Sequence, residues 1–285
     1  DKANAKQIAK RAGVPTLQGH ASEDQRDDAF LEAARRIGYP VMVKPVAGGG
    51  GIGMQRVRDQ SALRDALAKA RRIAAASFGD ERLMLERLVE RPRHIEVQIV
   101  SDTHGQIAAL GERDCSAQRR HQKVIEESPA PSLDDRQRKA IADAAVAVAR
   151  EARYVGAGTV EFAVDDRGSF FFLEVNARLQ VEHPVTELVW DIDLVEQQLH
   201  IAQGERLSLG EPAPRGHAIE VRLYAEDVEA GFLPSIGPLL HVRMPDGVRV
   251  DAGYDEGNAV TRHYDPLIAK VIAHGPHRKL ALAQL

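Results

Sequence analysis

A chain of 285 residues, 44% of them hydrophobic, is long enough for more than one packed unit. A net charge of −4 and an aromatic content of 5% argue against a broad nucleic-acid surface or a stacking platform for single strands. Cys115 stands alone, so no intrachain disulfide is available, no signal peptide opens the chain, no apolar run reaches the roughly 18 residues of a membrane span, and the expected setting is the reducing cytoplasm.

In chain order, "NAKQIAKRAG" reads as a short helix ended by Gly13 and Pro15. "SEDQ" has the capping-box pattern, and Phe30, Ala33, Ala34 and Ile37 continue it at helical spacing. "YPVMVKPV" is a strand, a glycine loop follows, and "MQRVR" alternates like a returning strand. "QSALRDALAKARRIAAA" is a helix with Leu63, Leu67 and Ala70 in line. "HIEVQIVSDTHGQIAALGERD" alternates on both sides of a turn and is read as a hairpin. Ser132 is the expected cap of an Ala-rich helix ending near Ala152. "GTVEFAV" and "FFFLEVN" are strands joined by "DDRG", and "DLVEQQLHIAQG" is a helix stopped by Gly204. Strands and Pro/Gly turns fill the rest, until "HRKLALAQL" begins a helical pattern. The chain opens on Asp1 and is read as a piece of a longer protein. The sum is α+β with antiparallel sheets rather than a regular βαβ winding.

Two stretches carry chemistry. "KPVAGGGGIGM" holds Gly48, Gly49, Gly50, Gly51 and Gly53, with Lys44 just ahead. Consecutive glycines let backbone N–H groups approach phosphates without Cβ clashes, and Lys44 supplies a cation. Gly48, Gly50 and Gly53 match GxGxxG, but a strand follows instead of the helix that a dinucleotide fingerprint needs, which disfavours an NAD-binding dehydrogenase. No Walker A Lys-Ser/Thr follows Gly53 either. The loop reads as a hairpin tip that folds over a nucleotide; a merely flexible loop is the alternative.

In "FLEVNARLQVEHPVTE" the polar residues Glu174, Asn176, Arg178, Gln180 and Glu182 alternate with Val175, Ala177, Leu179 and Val181. Period-two alternation predicts one polar face of a ribbon. Glu161, between Val160 and Phe162, and Glu174 both sit in apolar strands, where charge is seldom buried unless paired or metal-bound. Side by side they repel, and a Mg²⁺ ion relieves that, with Asn176 completing the ligand set. An exposed polar sheet face is the other reading. His94 is open between a functional and a plain sheet histidine, "RRHQK" between a site and a solvated loop. Cys115, Trp190 and Tyr224 are taken as packing residues.

Together "YPVMVKPVAGGGGIGM", "RHIEVQIVSD", "GERDCSAQRRHQKVIEESPAP", "GTVEF", "FLEVNARLQVEHPVTE" and "RGHAIEVRLYAEDV" resemble the biotin carboxylase family, ATP-grasp enzymes of acyl-CoA, pyruvate and urea carboxylases. The stretches keep the family's order from Asp1 to about Ala273, and "RLQVEHPVTE" and "CSAQRRHQK" are specific to it. The resemblance implies an ATP-grasp fold, with a small glycine-loop lid, a larger antiparallel-sheet domain and the start of a biotin carboxylase C-terminal domain. It places a leading helix at 1–15 after an N-terminal α/β domain that this chain lacks. The lid subdomain follows at 16–88, the central domain at 89–215 and a truncated C-terminal domain at 216–285.

The same resemblance implies the roles of individual residues. Lys2 and Lys44 hold the ATP phosphates under the 48–53 lid, which includes Gly49, Gly50 and Gly51. Glu86, Arg87 and Leu88 form the adenine hinge, through the Glu86 side chain and the backbone after it. His94, Gln118 and His121 line the ribose side of the pocket. Lys123 lies near the γ-phosphate and bicarbonate. Glu161, Glu174 and Asn176 hold Mg²⁺ or Mn²⁺. Arg178, Gln180 and the Val181 backbone cradle bicarbonate, with Glu182 as base, and Arg222 stabilises the biotin enolate. The implied activity is ATP-dependent carboxylation of biotin through carboxyphosphate; the alternative is a nucleotide-binding fragment without turnover. Implied partners are a biotin carrier, a carboxyltransferase and a second copy of the chain. Two departures from the family pattern are Trp190-Asp191, where Thr-Gly is usual, and Ile52, where a basic residue is common.

Overall fold

The computed structural model describes residues 2–48, 51–120, 122–210 and 213–285; Gly49, Gly50 and His121 lie outside the described residues. The first part comprises α1 (Lys2–Arg11), β1 (Gly19–His20), α2 (Asp27–Ile37), β2 (Val41–Pro45), β3 (Gln55–Val57), α3 (Leu63–Phe78) and β4 (Leu83–Arg87). Its antiparallel sheet runs β1-β4-β2-β3. Phe30, Ala33, Ala34 and Ile37 of α2 recur at helical spacing and meet Leu63, Leu67 and Ala70 of α3 over Val41, Val43 and Leu85. The glycine loop joins β2 to β3, whose register pairs Val41 with Val57, so the expected hairpin forms.

The second part contains β5 (Arg93–Ser101), β6 (Ile107–Arg119), β7 (Gln122–Ser128), α4 (Asp135–Glu151), β8 (Gly156–Val164), β9 (Phe170–Asn176), α5 (His183–Trp190) and α6 (Leu194–Ala202). β10 (His217–Tyr224) follows, then the short strands β11 (Glu226–Asp227), β12 (Leu233–Pro234) and β13 (Gly237–Pro238). β14 (Arg249–Ala252), β15 (Ala259–Val260), β16 (Leu267–Gly275) and α7 (Arg278–Gln284) complete the described chain. One antiparallel sheet runs β14-β16-β10-β7-β6-β5-β8-β9, so strands from the 216–285 segment extend the same sheet as the central strands.

Alternation sorts this sheet into two faces. Ile95, Val97, Ile99, Val160, Phe162 and Val164 point to α4 and α1 and close a core with Ile141, Ala145 and Val148. His94, Glu96, Gln98, Thr159 and Glu161 hold the intervening positions and point the other way. A hydrophobic core closed on one side therefore fixes the placement of charged groups on the other.

Three local expectations are corrected. "SEDQ" does not cap α2: Ser22 Oγ accepts the Asp24 N–H at 3.1 Å, and no side chain caps the helix. Gln25 is instead occupied on β4, accepting the Leu83 N–H at 2.9 Å. Asp134, not Ser132, caps α4, in a reciprocal capping box with Gln137 at 2.7 and 3.0 Å. The single polar ribbon from 174 to 182 is also broken, because the strand ends at Asn176 and the chain turns into α5, with Pro184 in its first turn.

Trp190 packs as expected, and its neighbour Asp191 takes the left-handed conformation (φ 53°, ψ 53°) that ends α5, which an Asp tolerates where glycine is usual. Across from it, Gly111 has φ +68°, and an added Cβ there would lie 2.8 Å from Trp190 Nε1. Gly111→Ala should cost about 1–3 kcal/mol through strain and overpacking and shift the emission of Trp190, the single tryptophan. Gly105→Ala, at φ +90° with open space around it, adds backbone strain alone. Thermal melts of the two variants check this; equal losses and unchanged emission would contradict the packing.

Candidate functional site

The polar face of the large sheet carries a row of charges in register. Across β6, β5, β8 and β9, Arg113 lies opposite Glu96, Glu96 opposite Glu161, and Glu161 opposite Glu174. The two carboxylates expected to be neighbours are therefore cross-strand partners. Arg113, Glu96 and Glu161 are essentially without solvent exposure, so each needs a partner.

Lys123, on β7, supplies the central partner. Its Nζ lies 2.5 Å from Glu96 Oε2, 2.6 Å from Glu182 Oε1 and 3.2 Å from Glu161 Oε1. Burial opposes the charged ammonium, yet Glu96 and the other carboxylates raise its pKa well above the ordinary value. Arg113 holds Glu96 from the other side, with Nε 2.5 Å from Oε1, and donates to Gln98 Oε1 at 2.9 Å and Thr186 Oγ1 at 2.8 Å. Burial works against ionised Glu96, but Arg113 and Lys123 keep its pKa below the ordinary value.

Glu161 is gripped by His94, Lys123 and the Asn176 amide. Burial pushes its pKa up; His94 and Lys123 more than reverse this and hold it well below the carboxylate range. His94 is thus no plain sheet histidine: Glu161 raises its pKa against the effect of burial, and Gln118 Nε2 lies 2.9 Å from its Nδ1. Glu174 behaves differently. Burial and then Glu161 raise its pKa, with Lys2 and Lys44 pulling the other way. A cation between Glu161 and Glu174 relieves this, so the donor set fits a hard divalent ion. Two groupings among the described residues have ligand atoms that all lie within 4.8 Å of one another: His94, Glu96 and Glu161, and Glu96, Cys115 and Glu182.

Beyond Asn176 the remaining residues converge by a turn instead of a strand. Glu182, wholly buried, is clamped between Lys123 and Arg222, whose Nη2 lies 3.0 Å from Glu182 Oε2. Gln180, two residues earlier in the chain, is 6% exposed and its Nε2 has no partner among the described residues. Lys270 Nζ donates to the Val181 carbonyl at 2.8 Å. Arg178 is exposed, and its Nη1 donates to the Leu179 carbonyl at 3.1 Å.

The nucleotide-side expectations fare unevenly. Lys2 Nζ donates to the Gly48 carbonyl at the mouth of the lid, and Gly48, Gly51 and Gly53 all have positive φ. Burial lowers the Lys2 pKa, while Glu174 raises it. The Glu86 side chain is not free for a base, since both carboxylate oxygens are taken by Lys6 and Lys44. The hinge N–H groups are also occupied: Arg87 N–H goes to Gln18 O at 2.8 Å and Leu88 N–H to Pro40 O at 3.0 Å. Tyr224, expected as packing, is half-buried, and burial raises its pKa. Burial, followed by Glu96, pushes the Cys115 thiol well above its usual pKa, which suits a packing role.

Sequence reasoning missed Glu96, Arg113, Glu126 and Glu220. Glu96 lies between Ile95 and Val97, the same signal that singled out Glu161. Glu126 lies opposite Glu220 across β7 and β10, and both are fully buried. Arg222 Nε holds Glu126 Oε1 at 2.6 Å, whereas neither Glu220 oxygen has a partner among the described residues. Burial raises the Glu126 pKa to about 7. Burial, and then Glu126, raise Glu220 well above 4.5, against Lys270 and Arg222.

Such a group stabilises the fold fully below its unfolded value near 4.5, and that contribution is lost as pH rises toward the raised native value. Glu220→Gln should therefore gain stability over the parent as pH rises above about 4.5, at up to about 1.4 kcal/mol per pH unit. Denaturant titrations across that range check it; a difference independent of pH would show that Glu220 is ionised in the fold.

Residues 1–209 match the family profile "Carbamoyl-phosphate synthase L chain, ATP binding domain", and residues 220–285 match "Biotin carboxylase C-terminal domain". The chain is 48% identical over 289 residues to the mouse mitochondrial methylcrotonoyl-CoA carboxylase subunit alpha, covering 100% of this chain and 40% of that protein. Biotin carboxylase 2 of Bacillus subtilis is 49% identical over 289 residues, covering 100% and 65%. The biotin carboxylase domain dimer of Hydrogenobacter thermophilus 2-oxoglutarate carboxylase, solved with MgADP, ADP and bicarbonate, superposes with a TM-score of 0.96 at 41% identity, covering 100% of this chain and 64% of that one. The chain thus spans about two fifths to two thirds of the length of these relatives. It belongs to the biotin carboxylase family, with an ATP-grasp fold.

Proposed function

We propose that the intact protein carrying this chain carboxylates biotin with bicarbonate and ATP. The observation that carries the reading is the Glu182 carboxylate clamped between Lys123 and Arg222, with the unpartnered, buried Gln180 amide two residues before it in the chain. A buried, pre-set array of two cations and an unused amide donor suits a small oxyanion far better than an apolar ligand. Arg178 adds a planar fork that matches bicarbonate.

Glu182 takes the bicarbonate proton, and the bicarbonate oxygen attacks the γ-phosphorus of ATP. The bond from that phosphorus to the ADP oxygen breaks, leaving ADP and carboxyphosphate. Carboxyphosphate then cleaves to CO₂ and phosphate. The phosphate takes the ureido N–H proton of biotin, and Arg222 holds the resulting enolate while its nitrogen attacks CO₂. Lys2, Lys44 and the 48–53 loop hold the phosphates, with His94, Gln118 and His121 on the ribose side and the hinge at Glu86, Arg87 and Leu88 on the adenine. Its side chain and N–H groups being engaged, the hinge offers adenine its carbonyls. Glu161, Glu174 and Asn176 would hold Mg²⁺ or Mn²⁺, which would supply charge neutralisation at the transferred phosphoryl group.

The same reading assigns residues 1–15, 16–88, 89–215 and 216–285 to leading helix, lid, central unit and C-terminal unit. It implies a biotin carrier, a carboxyltransferase and a dimer as partners. Among the described residues no helix is long and apolar enough to cross a membrane. A reducing compartment suits the buried Cys115; the mouse relative is mitochondrial, so the cytoplasm is one of two settings that meet this.

In the intact protein, Arg222→Ala should keep bicarbonate-dependent ATP cleavage and lose carboxybiotin, because Lys123 still holds Glu182. Glu182→Ala should lose both, by about 10²–10⁴-fold. Paired assays of phosphate release and of labelled carbonate on biotin decide; equal losses of both activities in both variants would refute the division of roles.

A further inference from the structure

Lys6 has no role in the chemistry described so far, yet it is the most buried lysine of α1, at 7% exposure. Its Nζ lies 2.5 Å from Glu86 Oε1, and Lys44 takes the other oxygen of the same carboxylate. Glu86 itself is 3% exposed. The place for the Lys6 head is shaped by a glycine: Gly19 lies opposite Glu86 across β1 and β4, and a Cβ added at Gly19 would lie 2.7 Å from Lys6 Nζ and 3.2 Å from Glu86 Cγ. Bare backbone thus opens a socket that the ammonium fills. Burial lowers the pKa of Lys6, and Glu86 draws it back up.

Two cations on one buried carboxylate is more than neutrality requires. Lys44 sits on β2 beside the glycine loop, and it also acts electrostatically on Glu174. If Lys44 were the sole counterion, leaving Glu86 for a ligand would strand a buried charge, a costly event. We propose that Lys6 is a positioning residue that stays on Glu86 as its permanent counterion and so frees Lys44 to move to the phosphates of a bound nucleotide. The inference rests on the reading of Lys44 as a phosphate-binding lysine.

The test is nucleotide affinity, measured by calorimetry on the intact protein with ATP and with adenosine as probes. Lys6→Met should weaken ATP by about tenfold or more, the scale of an orphaned buried carboxylate, and leave adenosine unchanged, since adenosine has no phosphate to draw Lys44 away. Lys6→Arg should keep ATP affinity near that of the parent. In a Glu86→Gln background no charge is stranded, so adding Lys6→Met should change ATP affinity less than about twofold. That comparison of Glu86→Gln with and without Lys6→Met also decides the matter should Lys6→Met alone not fold. An equal loss for ATP and adenosine, or an undiminished loss in the Glu86→Gln background, assigns Lys6 a purely structural role and overturns the proposal. Lys44→Met separates the two levels. If it weakens ATP while Lys6→Met does not, the Lys6 inference falls and the phosphate reading stands; if Lys44→Met leaves ATP unchanged, both fall.

Discussion

One ammonium group organises this protein's polar face. Lys123 reaches Glu96, Glu161 and Glu182 from a strand that belongs to none of them. These three carboxylates come from β5, from β8 and from the turn entering α5. Without a shared cation they would repel across a poorly screened interior, where charges a few ångströms apart interact far more strongly than in water. The lysine therefore sets how closely the Glu96, Glu161 and Glu182 carboxylates can approach one another.

Around that centre further cations back the carboxylates. Arg113 backs Glu96 and is tied to α5 through Thr186, so the helix and the charged row move together. Arg222 backs Glu182 and Glu126, and Lys6 with Lys44 backs Glu86. Buried ion pairs of this kind contribute little net stability compared with apolar packing. Their value lies in preorganisation: donors and acceptors are already placed when a charged substrate arrives, and little reorganisation accompanies reaction. The closed apolar core on the α4 face supplies the stability that the polar face does not. Several buried polar atoms of this face lack a partner among the described residues: Arg113 Nη2, Glu126 Oε2, the Gln180 amide nitrogen and both Glu220 oxygens. Burial and Glu126 raise the Glu220 pKa, which favours its neutral form against Glu126.

Much of this was legible in the residues. The apolar alternation of "HIEVQIV" and "GTVEFAV" fixed which side chains face α4, and therefore that Glu161 and Glu174 would meet across a hairpin. What was missed on β5 was equally visible, since Glu96 interrupts its strand as Glu161 does. Other features were not local. The alternation after Asn176 looked like a continuing strand, but Pro184 and the apolar run after it start α5, and tertiary packing of Val185 and Val189 overrides the pattern. "SEDQ" failed as a cap because Gln25 finds a stronger partner in β4, some 58 residues away in sequence. The occupation of Glu86 by Lys6 likewise depends on Gly19 meeting β4, which no short-range signal reveals. For the site residues, resemblance to the family supplied what pattern could not.

The central claim is that Lys123 is the shared counterion on which the catalytic array depends. The most direct measurement is bicarbonate-dependent ATP cleavage by Lys123→Met in the intact protein, with folding monitored alongside. The account predicts a folded protein whose bicarbonate-dependent rate falls by about 10²-fold or more, the usual scale for removing a preorganised electrostatic group. A rate within a few-fold of the parent, in a folded variant, would contradict it.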